Sequence, residues 1–371
     1  MHVGIPKEIR EHERRVAATP ETVKRLTGQG HEVVVEAGAG WGAALTDDAF
    51  KDAGATIADK NAAFGADVVL KVAPPTDDEV GLLKEGAVLI GMLNPYQNKE
   101  LVQQLAERKV TTFALELLPR TTRAQDKDVL SSQANLAGYR AVIEAMAAYS
   151  RVMPMMMTAA GTVTPAKIFV VGAGVAGLQA IATARRMGAV VSATDVRPAA
   201  REEIASLGAK FVGFVPEDAA TSGGYARALT QEEQAEQAKM VAEHLKSQDI
   251  VVTTAQIPGR PAPRIVTMDM VKSMKPGSVV LDMAVETGGN VEGSKVGEEV
   301  ETDNGARIIG PPNIPARIAP ATSVLYAKNL FNFLKLIVTE DGQLAVNKDD
   351  DLVVGTLLTE NGAVVHANFQ S

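Results

Sequence analysis

Residues 168–178 read Ile-Phe-Val-Val-Gly-Ala-Gly-Val-Ala-Gly-Leu, a β-branched run that leads directly into three closely spaced glycines. The run 168–171 predicts a buried strand, and the residues after the last glycine predict a helix. Gly172 allows a tight turn, Gly174 lets the backbone approach a pyrophosphate, and Gly177 lets helix and strand pack closely. The helix N-terminus then offers free N–H groups to an anion. The stretch therefore predicts the phosphate cradle of a dinucleotide-binding α/β domain, formed by Gly172, Gly174, Val175, Ala176 and Gly177.

An acidic residue stands where such a domain needs one. Asp195 follows the next predicted strand, 190–194, and lies 23 positions after Gly172 (195 − 172). A carboxylate about 20 residues after the first glycine accepts hydrogen bonds from the adenosine ribose, and it would repel a 2′-phosphate. NAD(H) is therefore favoured over NADP(H), although the nearby Arg197 could hold a phosphate. The expected cofactor-binding residues here are Asp195, Val196 and Arg197.

Composition places the chain among ordinary globular proteins. Of its 371 residues, 46% are hydrophobic and 22% are charged, and this length suggests about two domains. The formal net charge is −8 and no lysine- or arginine-rich run stands out, so no nucleic-acid partner is expected. No cysteine is present, which excludes disulfides, thiolate catalysis and cysteine-ligated zinc and suits a cytoplasmic protein.

Neither a metal site nor a membrane span is expected. The chain has no His-Glu-x-x-His motif, and the acidic run 349–351 is interpreted as a solvated turn. Residues 1–8 lack the apolar region of a secretory signal. The longest uncharged apolar stretch, 168–184, is rich in glycine and short for a membrane helix.

Two series of short β-branched runs alternate with helical stretches, which predicts parallel sheets flanked by helices. The first series comprises strands at 3–5, 32–36, 68–72, 87–90 and 111–114, with helices at 21–26 and 99–108. The second comprises strands at 168–171, 190–194, 211–214, 250–254, 278–282 and 307–309. We expect an α/β protein of two Rossmann-like domains with doubly wound, mainly parallel sheets and a cleft between them. The first domain is assigned to 1–135 plus 325–371, and the NAD-binding domain to 136–324.

The stretches outside these series suggest how the chain is connected. Residues 152–166 are uncharged and contain four methionines, which predicts a buried connection between domains because methionine fills irregular gaps. An apolar helix at 323–337 is expected to carry the chain back to the first domain. The tail 351–366 resembles a hairpin that turns at Asn361 and Gly362.

Several segments together closely resemble the NAD(H)-binding component, domain I, of proton-translocating transhydrogenase, whose wider family includes alanine dehydrogenase. The resemblance covers essentially the whole chain, and its most specific part lies between Arg120 and Tyr139. The segments are 118–140 (LPRTTRAQDKDVLSSQANLAGYR), 158–167 (TAAGTVTPAK), 5–8 (IPKE), 15–20 (RVAATP) and 253–259 (TTAQIPG).

The resemblance implies that the chain binds NADH and passes a hydride directly to NADP⁺ held by a separate domain, while a membrane domain couples the transfer to proton movement. Its catalytic, nicotinamide-contacting residues carry over as Arg120, Gln125, Asp128 and Ser131. An arginine and an amide can hold the carboxamide and ribose, and the cofactor supplies the hydride chemistry. Without the resemblance, a polar loop would explain these four residues equally well.

The resemblance also implies further contacts with the cofactor. Residues 216–230 match a mobile loop that closes over bound nucleotide, and its glycine pair provides hinge freedom. The additional cofactor-binding residues are Thr121, Thr122, Gly224, Tyr225, Ala255 and Gln256. The expected partners are a transhydrogenase membrane subunit, an NADP(H)-binding subunit and a second copy of this chain in a homodimer. The expected location is the cytoplasm, peripheral to the inner (cytoplasmic) membrane through those partners.

Two alternatives remain open at the level of sequence. Alanine dehydrogenase would need an arginine, a lysine and a histidine acid/base, and Arg15 and Lys71 match the first two positions. The stretch that should contain the histidine, 92–97 (MLNPYQ), has none, so the proton-transfer group is missing. The second alternative is a non-catalytic NAD-binding sensor, which would need no partner protein.

Overall fold

The structure of the chain is a computed structural model that describes residues 1–214, 230–257, 259–339 and 341–370. Its strands are β1 His2–Ile5, β2 Glu32–Glu36, β3 Thr56–Ala58, β4 Val68–Leu70, β5 Val88–Gly91, β6 Thr111–Ala114, β7 Met156–Thr158, β8 Gly161–Val163, β9 Lys167–Val171, β10 Val190–Thr194, β11 Lys210–Phe211, β12 Ile250–Thr253, β13 Val279–Asp282, β14 Glu299–Glu301, β15 Arg307–Ile309, β16 Leu357–Glu360 and β17 Ala363–Val364. Its α-helices are α1 Pro20–Gly28, α2 Asp47–Asp52, α3 Lys60–Phe64, α4 Asp77–Leu82, α5 Lys99–Glu107, α6 Val129–Ala148, α7 Val175–Arg186, α8 Ala200–Ser206, α9 Gln231–Leu245, α10 Met268–Lys272, α11 Ala319–Leu334 and α12 Asp351–Thr356.

The described residues form two compact units. The first unit comprises Met1–Gln133 and Pro315–Ser371, and the second comprises Ala134–Ile314. The domain boundaries expected from the sequence, 135/136 and 324/325, stay a prediction. Among the described residues, no helix has both the length and the apolar character that a bilayer crossing requires.

The first unit is built on an eight-stranded sheet in the order β17-β16-β6-β5-β4-β1-β2-β3. The strands β1 to β6 are parallel, while β16 runs antiparallel to β6 and β17 antiparallel to β16. Successive residues of β4 belong to different core clusters, since Val68 and Leu70 pack in one and Val69 in the other. Both faces of the sheet are therefore covered, as expected for parallel strands.

The second unit has a seven-stranded sheet in the order β11-β10-β9-β12-β13-β15-β14. All its neighbouring strands are parallel except β14, which pairs antiparallel with β15. Ile168 and Val170 pack in one core cluster, and Phe169 and Val171 pack in another. The strand order reverses between β9 and β12, and ligands of such sheets bind at the carboxyl ends of the strands at that point. The α/β class with two doubly wound, mainly parallel sheets is thus confirmed.

In the two large sheets, the sequence did not predict the short strands β3 and β14. Each has three residues and lies at an edge of its sheet. An edge strand buries less of each side chain, so it needs no continuous apolar run that a reader of the sequence would recognise.

The prediction of a buried connection at 152–166 is wrong. Strands β7 and β8 form a separate two-stranded antiparallel hairpin whose residues are all exposed, and Met157 keeps 78% of its surface accessible. Met153 alone of the four methionines is buried. An apolar composition does not reveal whether another part of the same chain covers it, and no described residue covers this hairpin.

The C-terminal tail differs in part from the expected hairpin. Residues 357–364 do form an antiparallel pair, and Asn361 and Gly362 at its turn both have positive φ. Residues 351–356 form the short helix α12 instead of a strand. Asp350 accepts hydrogen bonds from the backbone N–H groups of Leu352 and Val353, so its N-cap favours a helical turn there.

Candidate functional site

The glycine cradle in the second unit follows β9 directly. Gly172 has φ of +98°, and a Cβ at Gly177 would lie 1.9 Å from the carbonyl oxygen of Gly172. Gly174 precedes α7, has φ of −69°, and a Cβ there would meet nothing within 4 Å. Gly172 and Gly177 are therefore required by the fold itself, whereas the space at Gly174 is open for a ligand.

The start of α7 is suited to an anion. Its N-cap is Gly174, which has no side chain to occupy the first N–H groups of the helix. Val175 is exposed and Ala176 is half-buried at this first turn. Free N–H groups and the positive end of the helix dipole thus face the open space beside Gly174.

Two residues that the sequence analysis missed shape the cradle. Thr254, at the end of β12, donates its hydroxyl to the carbonyl oxygens of Gly172 (3.1 Å) and Val171 (3.3 Å). The side chain of the buried Asn290 accepts from the N–H of Ala255 (3.0 Å) and donates to its carbonyl (2.8 Å). No sequence signal points to Asn290, because it lies 35 positions from its partner.

Ala255 and the exposed Gln256 therefore stand on a fixed backbone at the carboxyl end of β12. Gln256 donates its amide to the carbonyl of Met283 at 3.4 Å. This long, exposed hydrogen bond can be exchanged for one to a ligand at little cost. These two residues lie next to the glycine turn, and their role in cofactor binding stays a prediction.

Asp195, at the end of β10, is already engaged with the cradle. Its Oδ2 accepts from the N–H of Ala173 at 2.7 Å, and its Oδ1 accepts from the N–H and Nε of Arg197 at 2.8 and 3.1 Å. Arg197 also donates to the carbonyl of Ala173 at 2.8 Å and lies 3.4 Å from Glu203. Asp195 and Glu203 together outweigh the one charge of Arg197, which disfavours a 2′-phosphate. Val196, between Asp195 and Arg197 in the sequence, is exposed.

The expected nicotinamide-contacting segment lies in the first unit, in the tight turn Thr122–Lys127 and the start of α6. Ala124 and Lys127 are buried and anchor the turn. Four expected site residues are exposed: Arg120, Thr121, Thr122 and Gln125.

Asp128 and Ser131 are half-buried and hydrogen-bonded to each other. The carboxylate of Asp128 accepts from the N–H of Ser131 at 2.9 Å and from its hydroxyl at 2.5 Å. Asp128 thus caps the first turn of α6, and a ligand would have to share these hydrogen bonds.

Arg123 ties this segment to the C-terminal part of the first unit. Its guanidinium donates to both carboxylate oxygens of Asp350, at 2.8 and 2.7 Å, and also to Asp351. The hydrogen bonds from Arg123 are the main reason that the pKa of Asp350 is lowered to about 2. The interpretation of the acidic run 349–351 as a merely solvated turn is therefore wrong for two of its three residues.

The two basic residues that alanine dehydrogenase would need are both paired with carboxylates. Arg15 is buried and donates through Nε and Nη2 to Glu13, at 2.8 and 2.7 Å, and through Nη1 to Gln133 at 2.9 Å. Lys71 is buried with its Nζ 3.2 Å from Glu8 and 3.4 Å from Glu79. A substrate carboxylate would have to displace a buried partner at either residue.

The loop that lacks the histidine is held by a buried glutamate that the sequence analysis missed. Glu116, four positions before Arg120, accepts through Oε1 from the N–H groups of Leu93 (2.7 Å) and Asn94. Its Oε2 is out of contact with solvent and has no hydrogen-bond partner among the described residues. Burial raises the pKa of Glu116 to about 7, against the lowering effect of the backbone N–H groups.

Two expectations concern other parts of the chain. Gly224 and Tyr225, in the expected mobile loop, lie outside the described residues. Within the described residues, no group of three or more histidine, aspartate or glutamate side chains is placed to hold a metal ion. The expected site residues that the structure describes form two groups, one in each unit.

The chain is similar over nearly its full length to known proteins. The family described as "Alanine dehydrogenase/PNT" matches with its N-terminal domain over residues 4–137 and its C-terminal domain over residues 141–367. A Rhodospirillum rubrum protein, named as the first part of NAD(P) transhydrogenase subunit alpha, is 52% identical, over 99% of this chain and 98% of its own length. The crystal structure of transhydrogenase from Sinorhizobium meliloti superposes with a TM-score of 0.90 at 56% identity, covering 98% of this chain and 100% of that one. Alanine dehydrogenase of Methanococcus maripaludis is 31% identical, over 99% of this chain and 95% of its own length.

The glycines of the cradle should separate folding from binding. The free energy of unfolding of Gly174→Ala should lie within about 0.5 kcal/mol of the wild-type value, since its Cβ meets nothing. Its affinity for NADH should fall roughly tenfold or more, because the methyl group fills the open space. Gly177→Ala should lose about 1–3 kcal/mol of stability because its Cβ meets backbone. Denaturant unfolding and calorimetric titration with NADH measure both effects. Gly28→Ala, at an open position in α1, is the control, and unchanged NADH affinity in Gly174→Ala would contradict the assignment.

Glu116 should make stability depend on pH. Its native pKa of about 7 lies above the ordinary value of 4.5, so the native state holds a proton that the unfolded chain releases between these values. Below pH 4.5 this proton stabilises the native state fully. As the pH rises through 7 the stabilisation is lost, which lowers the free energy of unfolding by up to about 3 kcal/mol. Relative to Glu116→Gln, the wild type should therefore lose stability between about pH 5 and pH 8 in urea unfolding.

The matched control for this experiment is Glu85→Gln. Glu85 is an exposed glutamate of the same unit, and its hydrogen bond to Lys109 lowers its pKa, so it does not titrate between about pH 5 and pH 8. The pH profile of this control should run parallel to that of the wild type. A parallel profile for Glu116→Gln as well would show that Glu116 does not titrate in this range.

Proposed function

Because this chain belongs to the Alanine dehydrogenase/PNT family, we propose that it is the NAD(H)-binding component of a proton-translocating transhydrogenase. It binds NADH and passes a hydride to NADP⁺ held by a partner, and a membrane subunit couples this transfer to proton movement. The observation that carries the proposal is the open, glycine-lined cradle beside Asp195, whose charges favour a dinucleotide without a 2′-phosphate. The reduced nicotinamide supplies the hydride when it is bound.

The work assigned to this chain is binding and orientation. The first turn of α7 and Gly174 receive the pyrophosphate, and Asp195 receives the adenosine ribose. Arg120 and Gln125 are exposed, and we assign them to the carboxamide and ribose of the nicotinamide half. Asp128 and Ser131 hold each other in a fixed orientation, which limits the positions that the ring can take. Thr121, Thr122, Ala255 and Gln256 complete the binding set.

Partner subunits follow from the names of the relatives. The Rhodospirillum rubrum protein is named as one portion of a subunit alpha, which implies a larger assembly, and this chain aligns with 98% of its length. We assign the NADP(H)-binding and membrane functions to other subunits, which would keep this chain at the inner (cytoplasmic) membrane surface. A homodimer also belongs to the proposal, and the exposed apolar hairpin of β7 and β8 is a surface that a second copy would cover.

Alanine dehydrogenase activity is the weaker candidate, although a relative with that name is 31% identical. Arg15 and Lys71, the two basic residues that this activity would need, are both paired with buried carboxylates of the chain itself. The loop 92–97 has no histidine to exchange a proton with the amine, and the backbone of this loop is held by Glu116.

The decisive experiment mixes the purified chain with an NADP(H)-binding transhydrogenase subunit. NADH-dependent reduction of an NADP⁺ analogue should appear in the mixture and be absent from either protein alone. The chain alone should not reduce NAD⁺ with L-alanine, since the proton-transfer group is missing. Brisk oxidation of L-alanine by the chain alone, or an inactive mixture despite NADH binding, would overturn the proposal.

Asp195 should set the nucleotide preference. Asp195→Asn should weaken NADH binding roughly tenfold, because a charge-assisted hydrogen bond to the ribose contributes about 1.5–3 kcal/mol. Binding of NADPH should weaken less or improve, because a like charge is removed. Titration calorimetry with both nucleotides measures the ratio of affinities. Glu243→Gln removes an exposed carboxylate of the same unit, which pairs with Lys246 and not with the cradle, and serves as the control. An unchanged ratio in Asp195→Asn would exclude this role.

A further inference from the structure

A buried asparagine of α11 holds the segment assigned to the nicotinamide. Asn329 is only 6% exposed. Its Nδ2 donates to the backbone carbonyl of Asp126 at 2.9 Å, and its Oδ1 accepts from the hydroxyl of Ser132 at 2.7 Å. One planar amide thus joins the last turn before Asp128 to the first turn of α6, which lies after it.

The segment has little packing of its own. Ala124 and Lys127 are its buried residues between positions 120 and 128, and the neighbouring expected site residues point to solvent. A tight turn of six residues with so few apolar contacts is only weakly fixed by its own sequence. It is fixed by contacts from distant parts of the chain, namely the pairs of Arg123 with Asp350 and Asp351 and a hydrogen bond from Asn329, which lies 203 positions beyond Asp126.

The two hydrogen bonds of Asn329 lie on either side of Asp128 and Ser131 in the sequence. Asp126 lies two residues before Asp128, and Ser132 lies one residue after Ser131. A shift of either bonded atom would therefore move the carboxylate of Asp128 and the hydroxyl of Ser131. Asn332, one turn further along α11, is half-buried; it donates to the same carbonyl of Asp126 at 3.2 Å and adds a weaker restraint.

We propose that Asn329 is a positioning residue for hydride transfer: its amide fixes where Asp128 and Ser131 stand, and so fixes the orientation of the nicotinamide ring. This inference rests on the proposed function, which assigns the ring to that segment. The phosphate cradle, Asp195 and Arg197 belong to the second unit, whereas Asn329 belongs to the first. Loss of Asn329 should therefore affect the transfer step much more than the affinity for NADH.

Asn329→Ala and Ser132→Ala test this prediction in the full chain mixed with the NADP(H)-binding subunit. With Asn329→Ala, the transfer rate at saturating nucleotides should fall roughly tenfold to a hundredfold, since small errors of placement are costly in this kind of reaction. The affinity for NADH should change by less than about threefold. Amide hydrogen exchange should become faster in the backbone of residues 120–128. Ser132→Ala removes one of the two bonds and should give a smaller fall in rate.

Lys328→Ala is the matched control on the same helix, because Lys328 is exposed and forms an ion pair with Glu21. It should leave the transfer rate and the exchange of residues 120–128 unchanged. An unchanged rate in Asn329→Ala overturns the inference, as does a slower rate without faster exchange in the segment. If Asn329→Ala fails to fold, a wild-type rate in Ser132→Ala overturns it instead. An inactive mixture of wild-type proteins shows failure of the proposed function, and the exchange comparison still shows whether Asn329 holds the segment.

Discussion

The second unit depends on one contact that tolerates no side chain, between the start of α7 and the end of β9. A Cβ at Gly177 would lie 1.9 Å from the carbonyl oxygen of Gly172, far inside van der Waals contact. The same close approach brings the first N–H groups of α7 to the carboxyl edge of the sheet, beside the open space at Gly174. Thr254 donates to the carbonyl of Gly172 and stabilises the turn from the neighbouring strand. Fold and phosphate cradle therefore share one local constraint.

Buried ion pairs play the corresponding role in the first unit. Glu8 accepts from the N–H of Val72 at 2.6 Å and pairs with Lys71, so it fastens the loop after β1 to the end of β4. Burial raises the pKa of Glu8, an effect that the charge of Lys71 opposes. Removing one partner from such a pair costs about 3–5 kcal/mol, because the other charge stays buried. Stability alone thus accounts for the presence of Lys71 and Arg15, and no amino-acid substrate is needed to explain them.

Features encoded by neighbouring residues could be predicted from the sequence. Val-rich runs predicted most of the parallel strands, and the spacing of Gly172, Gly177 and Asp195 predicted the cradle. The exposed hairpin was mispredicted because the apolar character of 152–166 does not show what covers it. Asn290 and Asn329 were missed, since each acts on backbone 27 or more positions away and an isolated asparagine has no recognisable pattern. The family resemblance, which the similarity to transhydrogenase subunits confirms, supplied the assignment of the 120–131 segment that residue patterns alone left open.

The two groups of site residues are held by interactions of different strength. The backbone at Gly177 and Gly172 is so close that a Cβ at Gly177 would clash, so the position of the cradle allows almost no adjustment. The turn Thr122–Lys127 depends on a few side-chain hydrogen bonds, each contributing about 1 kcal/mol, and on the exposed pair of Arg123 with Asp350. The proposed pyrophosphate site needs a fixed cradle, because backbone N–H groups would hold the ligand there. Under the proposed function, the segment 120–131 orients the nicotinamide ring, and single side chains such as Asn329 can adjust it without any change to the sheet to which the rest of the cofactor is assigned.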